Sequence, residues 1–234
     1  MKKRVLAIIL VLVLALPMLN VPAYADYDGE ILFRGIPWGS NYQDTMDALK
    51  ADGVNIDSAD VPSSTVDGIV VNVGGYSMEL ELHFMSLDRL ESKEDGCFYK
   101  AGYRKFFNCT YTNNLPKVKT ITQEYLLKLT SLYGDPDDSW SSKTNDGWEL
   151  KYYQWNGADK SVLQLGYGYS TEWDGPNTYK GYELQIKYES EQAYDDFKEK
   201  TAEEKARREA EKAEKERQEL EQYINNVLSN VNGL

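Results

Sequence analysis

ILFRGIPWGSNYQDTMDALKADG, residues 31–53, has the pattern of a short strand, a tight Pro/Gly turn and an amphipathic helix. Ser40 stands where an N-cap is expected, and Gln43 follows three residues later, which is the spacing of a capping box. Apolar side chains then recur at helical spacing on one face: Tyr42, Met46 and Leu49. Gly53 predicts the end of this helix, because glycine adopts the left-handed conformation of a helix terminus without strain.

A second helix of the same kind is predicted within residues 119–136. Thr120 and Gln123 repeat the capping-box spacing, and Gly134 and Pro136 close the helix. Its apolar face consists of Tyr125, Leu126, Leu129 and Tyr133. Each helix precedes several alternating segments, so the sequence predicts an α+β fold with two helix-plus-strand repeats that share one curved antiparallel sheet. The repeats span about residues 31–112 and 119–188.

A β-hairpin with a Gly-Gly turn is predicted for residues 66–84. Apolar residues alternate along its second strand: Met78, Leu80, Leu82 and Phe84. The residues between them, Glu79, Glu81 and His83, are therefore expected on a solvated face. A histidine beside two carboxylates also has the composition of a catalytic or metal site, but the alternation favours solvated side chains. Further strands are predicted at residues 148–155, 161–169 and 182–188.

Residues 1–25 predict a secretory signal peptide. A basic start is followed by an apolar core at residues 5–16 and by the small-x-small sequence Ala23-Tyr24-Ala25. The core is shorter than the roughly 20 residues of a membrane span. The net charge is −12, and removal of three cations with this segment leaves −15. We therefore expect a secreted protein with no membrane span that binds neither nucleic acid nor anionic lipid.

Cys97 and Cys109 are the two cysteines of the chain. The intervening FYKAGYRKFFN, with Gly102 near its middle, predicts two strands joined by a turn. Because exported proteins favour oxidised cysteines, we expect a disulfide across this hairpin, and two free thiols are the alternative. Neither the cysteines nor His83 has the spacing of a metal-ligand set.

Residues 189–234 predict a long, charged C-terminal helix with coiled-coil character, following an α+β domain at residues 26–188. Glu211 and Lys215 have the spacing of a helical ion pair. An apolar stripe at heptad spacing ends the helix: Leu220, Ile224, Val227 and Val231. The helix is expected to be solvated, to self-associate weakly through this stripe, or to fold back on the sheet.

Two short motifs carry a family resemblance: GIPWGS at residues 35–40 before the first helix, and Tyr133-Gly134-Asp135-Pro136 after the second. They resemble those of uncharacterised secreted proteins of Gram-positive bacteria. The duplicated layout is similar to that of β-lactamase-inhibitor and outer-membrane-assembly lipoprotein (SmpA/OmlA-like) modules. The resemblance implies a binding or scaffold module rather than an enzyme. The lipidated cysteine of those lipoproteins has no counterpart here.

No phosphate-binding loop, HExxH or GxSxG motif is present, and no cofactor is predicted. An acidic cluster could hold calcium but lacks EF-hand spacing, so it predicts a helix-terminating turn: Asp135, Asp137 and Asp138. Acidic residues also leave open a carboxylate-dependent hydrolase.

The composition is rich in Tyr and Trp, with 18 and 5 residues against 6 Phe, which suits contact surfaces. Trp140 and Trp173, in loop-like sequence, are the candidate contact residues, and the alternative is that they cap the core. Trp38, in the turn before the first helix, is expected to be structural. The sequence thus predicts an exported, non-enzymatic protein-binding module, with binding of wall or environmental glycans as the alternative.

Overall fold

The computed structural model describes residues 29–56, 63–86 and 96–232, so the predicted signal peptide lies outside the described residues. Its elements in chain order are α1 (Tyr42–Ala51), β1 (Thr65–Val73), β2 (Tyr76–Met85), β3 (Cys97–Asn108), α2 (Leu115–Tyr133), β4 (Asp138–Lys143), β5 (Glu149–Asn156), β6 (Ser161–Asp174), β7 (Asn177–Ser190) and α3 (Glu191–Asn232). The described chain is therefore α+β, as predicted, with three α-helices and seven strands.

The seven strands form one antiparallel sheet in the order β1-β2-β3-β7-β6-β5-β4. Strands β1 to β3 form one antiparallel meander, and strands β4 to β7 form another. The two meanders meet where β3 pairs with β7, from Lys100↔Glu189 to Asn108↔Gly181. The predicted hairpin is confirmed as β1 and β2. The other predicted strands correspond to β5, β6 and β7, although β6 and β7 are longer than expected. The sheet is open, with β1 at one edge and β4 at the other.

Helix α1 has the predicted buried face but a different N-cap. Tyr42, Met46 and Leu49 are all buried. The cap is Asn41, whose Oδ1 accepts a hydrogen bond from the Asp44 backbone N–H at 2.8 Å. The expectation that Ser40 caps the helix is wrong, because its hydroxyl donates to the Pro37 carbonyl oxygen within the preceding turn.

Helix α2 is longer than predicted. It begins at Leu115, so Thr120 is an interior residue and its hydroxyl donates to the Pro116 carbonyl oxygen at 3.0 Å. Proline suits the first turn of a helix, where a backbone N–H has no intrahelical partner. The capping box expected at Thr120 is therefore wrong. Tyr125 and Leu129 are buried as expected, and the helix ends at Gly134, which has a φ of +79°.

Both short helices pack on one face of the sheet, here called the inner face. Tyr42 of α1 contacts Phe84, with ring centroids 5.1 Å apart. Tyr125 of α2 donates to the Val73 carbonyl oxygen at 2.6 Å and lies beside Met78. The alternating apolar residues of β2 are all buried under these helices: Met78, Leu80, Leu82 and Phe84. The hydrophobic core of the described residues therefore lies between the helices and the inner face.

The predicted disulfide between Cys97 and Cys109 is wrong, since neither cysteine forms a disulfide bond. The segment between them is one strand, β3, and not a hairpin. Twelve residues of strand at about 3.3 Å per residue hold the two cysteines about 40 Å apart, far beyond the reach of a disulfide. Gly102 lies in the middle of this strand and not in a turn. Glycine suits the position because a Cβ there would lie 2.8 Å from the Ile186 carbonyl oxygen.

The acidic segment after α2 leads into a strand. Asp138 is the first residue of β4, and Asp137 Oδ2 accepts a hydrogen bond from the Asn156 backbone N–H at 2.7 Å. Trp140 lies within β4 and not in a loop, so that part of the expectation is wrong. Among the described residues, no group of three His, Cys, Asp or Glu side chains is placed to hold a metal ion.

The chain divides into two compact units, Met1–Tyr194 and Asp195–Leu234. The described part of the second unit is helical, and its charged side chains form short-range pairs. Arg208 Nε lies 2.9 Å from Glu204 Oε1, and Lys215 Nζ lies 3.9 Å from Glu219 Oε1. Glu211 contacts Arg207 at 3.7 Å. No helix in the described parts of the chain is long and apolar enough to cross a membrane.

Candidate functional site

The candidate site is the face of the sheet opposite α1 and α2, here called the outer face. Residues that pair across an antiparallel sheet point to the same face, so the strand register identifies its members. One row crosses six strands from the β4 edge: Trp140, Tyr152, Gly166, Gln185, Arg104 and Glu79. At about 4.8 Å per strand this row spans about 24 Å.

Glycines and aromatic rings together make the outer face flat at two places, one near the β4 edge and one in the middle of the sheet. A Cβ on Gly166 would collide with the Tyr152 ring, and a Cβ on Gly181 would lie 2.7 Å from Phe106 Cζ. The two rings therefore occupy the space that side chains would fill, as aromatic residues do above glycines in other sheets. Trp140 stacks on Tyr152, with ring centroids 5.3 Å apart and planes 16° apart.

The stacked pair is open to solvent at Trp140, which is 40% exposed, whereas Tyr152 is half-buried. Burial raises the pKa of the Tyr152 phenol, and the nearby Glu183 carboxylate adds to this effect. Tyr152 is therefore neutral over the whole physiological range. The pair offers an apolar surface with a hydroxyl donor, a combination that suits protein interfaces and sugar rings.

Charged residues continue the outer face beyond the rings. Arg104 Nη2 lies 3.0 Å from Glu79 Oε1, and Gln185 donates a hydrogen bond to Glu183. Burial raises the pKa of Glu183 above its ordinary value, while the cations Arg104 and Lys187 oppose this shift. The Glu183 carboxylate is thus partly desolvated in its present surroundings, and a partner that supplies a donor would stabilise it.

His83 and Glu81 also lie on the outer face, but as a contact pair rather than as fully solvated side chains. His83 Nε2 is 3.0 Å from Glu81 Oε1, and both residues are half-buried. The hydrogen bond with His83 lowers the pKa of Glu81 against the opposing effect of burial. The Tyr99 ring packs beside His83, with centroids 6.3 Å apart. These contacts give the pair a packing role at the β2–β3 end of the face.

A small depression lies on the outer face over β5, β6 and β7, beside the first residue of α3. Its volume is about 150 Å³, and it is lined by Gln154, Val162, Gln164, Lys187, Glu189 and Glu191. Pockets that enclose small-molecule ligands usually have about 300–1,000 Å³. The depression is therefore too small to enclose such a ligand, although its amide and charged side chains can donate and accept hydrogen bonds.

The structure does not bring the two predicted contact residues together. Trp140 belongs to the outer face, whereas Trp173 lies on β6 opposite Thr178 and is 74% exposed. After Tyr167 of β6 and before Gly181 of β7, these two strands pair in the sheet of the described residues only with each other, so they form a two-stranded arm. Seven residues of strand, about 23 Å, separate Trp173 from the row of Trp140. The loop predicted around Trp173 is wrong, and its contact role stays a prediction.

Trp38 has the structural position expected for it. Its indole Nε1 donates to the Ile31 carbonyl oxygen at 2.9 Å, and its ring stacks on Phe98 at 5.1 Å.

Three members of the outer face are not among the contact residues predicted from the sequence: Tyr152, Phe106 and Glu183. A usable signal was the alternation Gly-Tyr-Gly-Tyr at residues 166–169. Glycines at every second position of a strand leave one face of it bare, and a neighbouring strand must then supply large side chains to cover that face.

Comparison of the chain with protein-family models, curated protein sequences and solved structures finds no match.

Proposed function

We propose that this chain is an exported, non-enzymatic module that binds a protein partner through the outer face of its sheet. The observation that carries the proposal is the flat surface formed where Tyr152 lies over Gly166 and Trp140 stacks on Tyr152. Flatness matters because a protein surface can pack against it without first opening a cleft. Trp, Tyr and Arg are the residue types that dominate the energetics of protein interfaces, and this face presents all three.

The outer-face carboxylates support binding rather than catalysis. A glycosidase of the common type needs two carboxyl groups on either side of a bound sugar. Glu79 contacts Arg104, and Glu81 contacts His83, so both are held by neighbours on an open sheet face. These groups can make hydrogen bonds at the rim of an interface, where charged residues fix orientation and partner choice.

The topology supports a repeat origin for the module. In each half a short helix precedes a meander, and the last strands of the two meanders, β3 and β7, pair antiparallel in the middle of the sheet. We propose that the halves are two versions of one unit, as in the secreted and lipoprotein modules that the sequence resembles. Export through the predicted signal peptide at residues 1–25 belongs to the same proposal.

The C-terminal helix is proposed to space the module and to associate weakly with another helix. Leu220, Tyr223 and Ile224 are 58%, 67% and 46% exposed. Exposed apolar side chains at this spacing are typical of a helix that pairs. Val227 and Val231 of the predicted stripe have side chains outside the described part of the chain.

Capture from the native culture fluid and cell surface tests the proposed function. The full chain is immobilised, and retained proteins are compared for wild type, Arg104→Ala and Trp140→Ala. The controls are Lys128→Ala and Leu127→Ala, which remove an exposed cation and an exposed apolar side chain from α2. We expect one retained protein to be lost with the outer-face variants and kept with the controls. A retained protein that is lost equally with the α2 variants would contradict the proposal.

Glycan binding is the second candidate, favoured by the exposed Trp173 on the β6–β7 arm and by the Trp140–Tyr152 stack. Flat aromatic rings bind the apolar faces of sugars. A glycan array with wild type, Trp173→Ala and Leu127→Ala separates the candidates. Sugar binding that disappears with Trp173→Ala and persists with Leu127→Ala would indicate that the ligand is a glycan and not a protein.

A further inference from the structure

The two edges of the sheet are built differently. At the β1 edge the register shifts between Val66 and Ile69, and Gly68 has a φ of +74°. The Gly68 backbone N–H also donates to Glu79 Oε1 at 3.0 Å. A bulge of this kind interrupts the row of backbone groups that another strand would need, and native proteins use it to protect edges from strand addition.

The β4 edge lacks such protection. It pairs with β5 from Asp138↔Gln154 to Lys143↔Glu149 without a register shift, and all six residues of β4 are exposed. The strand contains no proline. Within the described residues no strand pairs with its other side. A regular, exposed edge offers alternate backbone N–H and C=O groups to a further strand.

We propose that the β4 edge pairs antiparallel with β4 of a second copy of this chain, about a two-fold axis that passes beside Trp140 and runs perpendicular to the sheet. The proposal goes beyond the partner-binding function and does not depend on it. Such an axis places Trp140 opposite Trp140 of the second copy, and it places Lys143 opposite Asp137 of the second copy. It also keeps the two outer faces on the same side of one continuous sheet.

Charge complementarity selects a second copy as the occupant. The edge begins with carboxylates and ends with a cation, so an antiparallel copy sets the acidic end of each strand against the basic end of the other. Asp137 is held beside the edge by its hydrogen bond from the Asn156 N–H. The Lys143 side chain is 67% exposed, and its Nζ contact with Glu149 is 3.4 Å. Each group has a contact on β5, but a carboxylate has a second oxygen and an ammonium group has three N–H donors, so each can also pair with a neighbouring strand.

The aromatic residues fit the same arrangement. Trp140 already stacks on Tyr152, so the axis would bring two stacked pairs together as one row of four rings on the outer face. Cross-strand aromatic pairs stabilise antiparallel strands. The exposed part of Trp140 would be covered by the same ring of the second copy.

Sedimentation equilibrium of the full chain at about 0.15 M salt tests the proposal, since the Debye length there is about 8 Å and screens the net charge of each copy. The parent protein carries Leu220→Gln and Ile224→Gln, which removes association through the C-terminal helix. We expect this parent to dimerise, and we expect Lys143→Asp and Asp137→Lys, each alone, to raise the dissociation constant at least about tenfold.

Mixing the two single variants provides the decisive measurement. In the mixed dimer, both ends regain an opposite-charge pair, so we expect a dissociation constant within about threefold of the parent value. Lys180→Asp, an exposed charge reversal on the β6–β7 arm, is the matched control and should have no effect. Trp140→Ala tests the same register without altering a charge, and it should also weaken the dimer.

Three results would overturn the proposal. The parent could remain monomeric up to about 1 mM. The dimer could be unaffected by Lys143→Asp and by Trp140→Ala, or the mixture could fail to recover although both variants have the parent's circular dichroism. A dimer seen in wild type but lost in the parent would assign self-association to the C-terminal helix instead.

Discussion

Gly166→Ala tests whether ring-over-glycine packing builds the outer face. The new methyl group would lie 2.6 Å from the Lys151 carbonyl oxygen and closer still to the Tyr152 ring. Ordinary carbon contacts are about 3.5–4.0 Å, so the ring and the β5 backbone must both move. Overpacking of this kind costs about 1–3 kcal/mol, and replacing a strand glycine returns about 0.5–1 kcal/mol. We expect a net loss of about 1–2 kcal/mol from the free energy of unfolding.

Urea unfolding followed by circular dichroism measures this loss. With a denaturant slope of about 2 kcal/mol/M, the midpoint should fall by about 0.5–1 M. Gly168→Ala is the matched control on the same strand and face. Its methyl group would meet only side-chain tips, the Tyr152 hydroxyl at 2.8 Å and Leu150 Cδ2 at 3.3 Å, which can move aside. Tyr152→Ala combined with Gly166→Ala should recover part of the loss. Ring-over-glycine packing is refuted if Gly168→Ala costs as much as Gly166→Ala, or if the loss in the double variant equals the sum of the two single losses.

Three further predictions concern the core, the half-buried Glu183 carboxylate and the C-terminal helix. Trp155→Phe should cost about 1–3 kcal/mol by urea unfolding, because it leaves the Gly134 carbonyl oxygen without the indole N–H that now donates to it at 2.9 Å. Glu183→Gln should stabilise the fold at pH 7, because burial raises the pKa of Glu183 and penalises its charged form. This gain in the free energy of unfolding should vanish as the pH falls below 4.5, where the carboxyl group is protonated in both the folded and the unfolded chain. An equal gain at pH 3 and pH 7 would contradict the prediction. Deleting residues 218–234 should lower the average mass at high protein concentration in sedimentation equilibrium, and an unchanged mass at every concentration would remove pairing through that helix.

Local patterns predicted the parts of the fold that local physics determines. The apolar face of α1 and the alternation in β2 recur at the periods of a helix and a strand, and both are buried as expected. The errors at helix starts have local causes as well. Asn41 competes with Ser40 as a cap one residue away, and Pro116 marks the first turn of α2 four residues before the expected cap.

The misread cysteine segment shows why a glycine cannot be interpreted without its neighbours. Gly102 has the same residue type as a turn glycine, but the close approach of the β7 backbone requires it within a strand. That approach follows from the pairing of β3 with β7, which joins residues about eighty positions apart. Nothing within the segment itself distinguishes the two cases. The predicted disulfide was wrong for this reason.

The outer face depends on the same long-range pairing. Arg104 and Phe106 come from the first half of the chain, and Glu183 and Gln185 come from the second. Alternation within β3 or β7 indicates that these side chains lie on the face opposite the buried side chains, but it does not indicate which strands lie beside each other. Only the β3–β7 register sets Arg104 beside Gln185. The same register places the rings of Phe106 on β3 and Tyr152 on β5 on one surface, with Glu183 of β7 between those two strands. The Trp140–Tyr152 stack over Gly166 comes from the second half alone, whereas Arg104 comes from the first. The combination of stacked rings and charged side chains on one surface therefore requires both halves to be folded and paired.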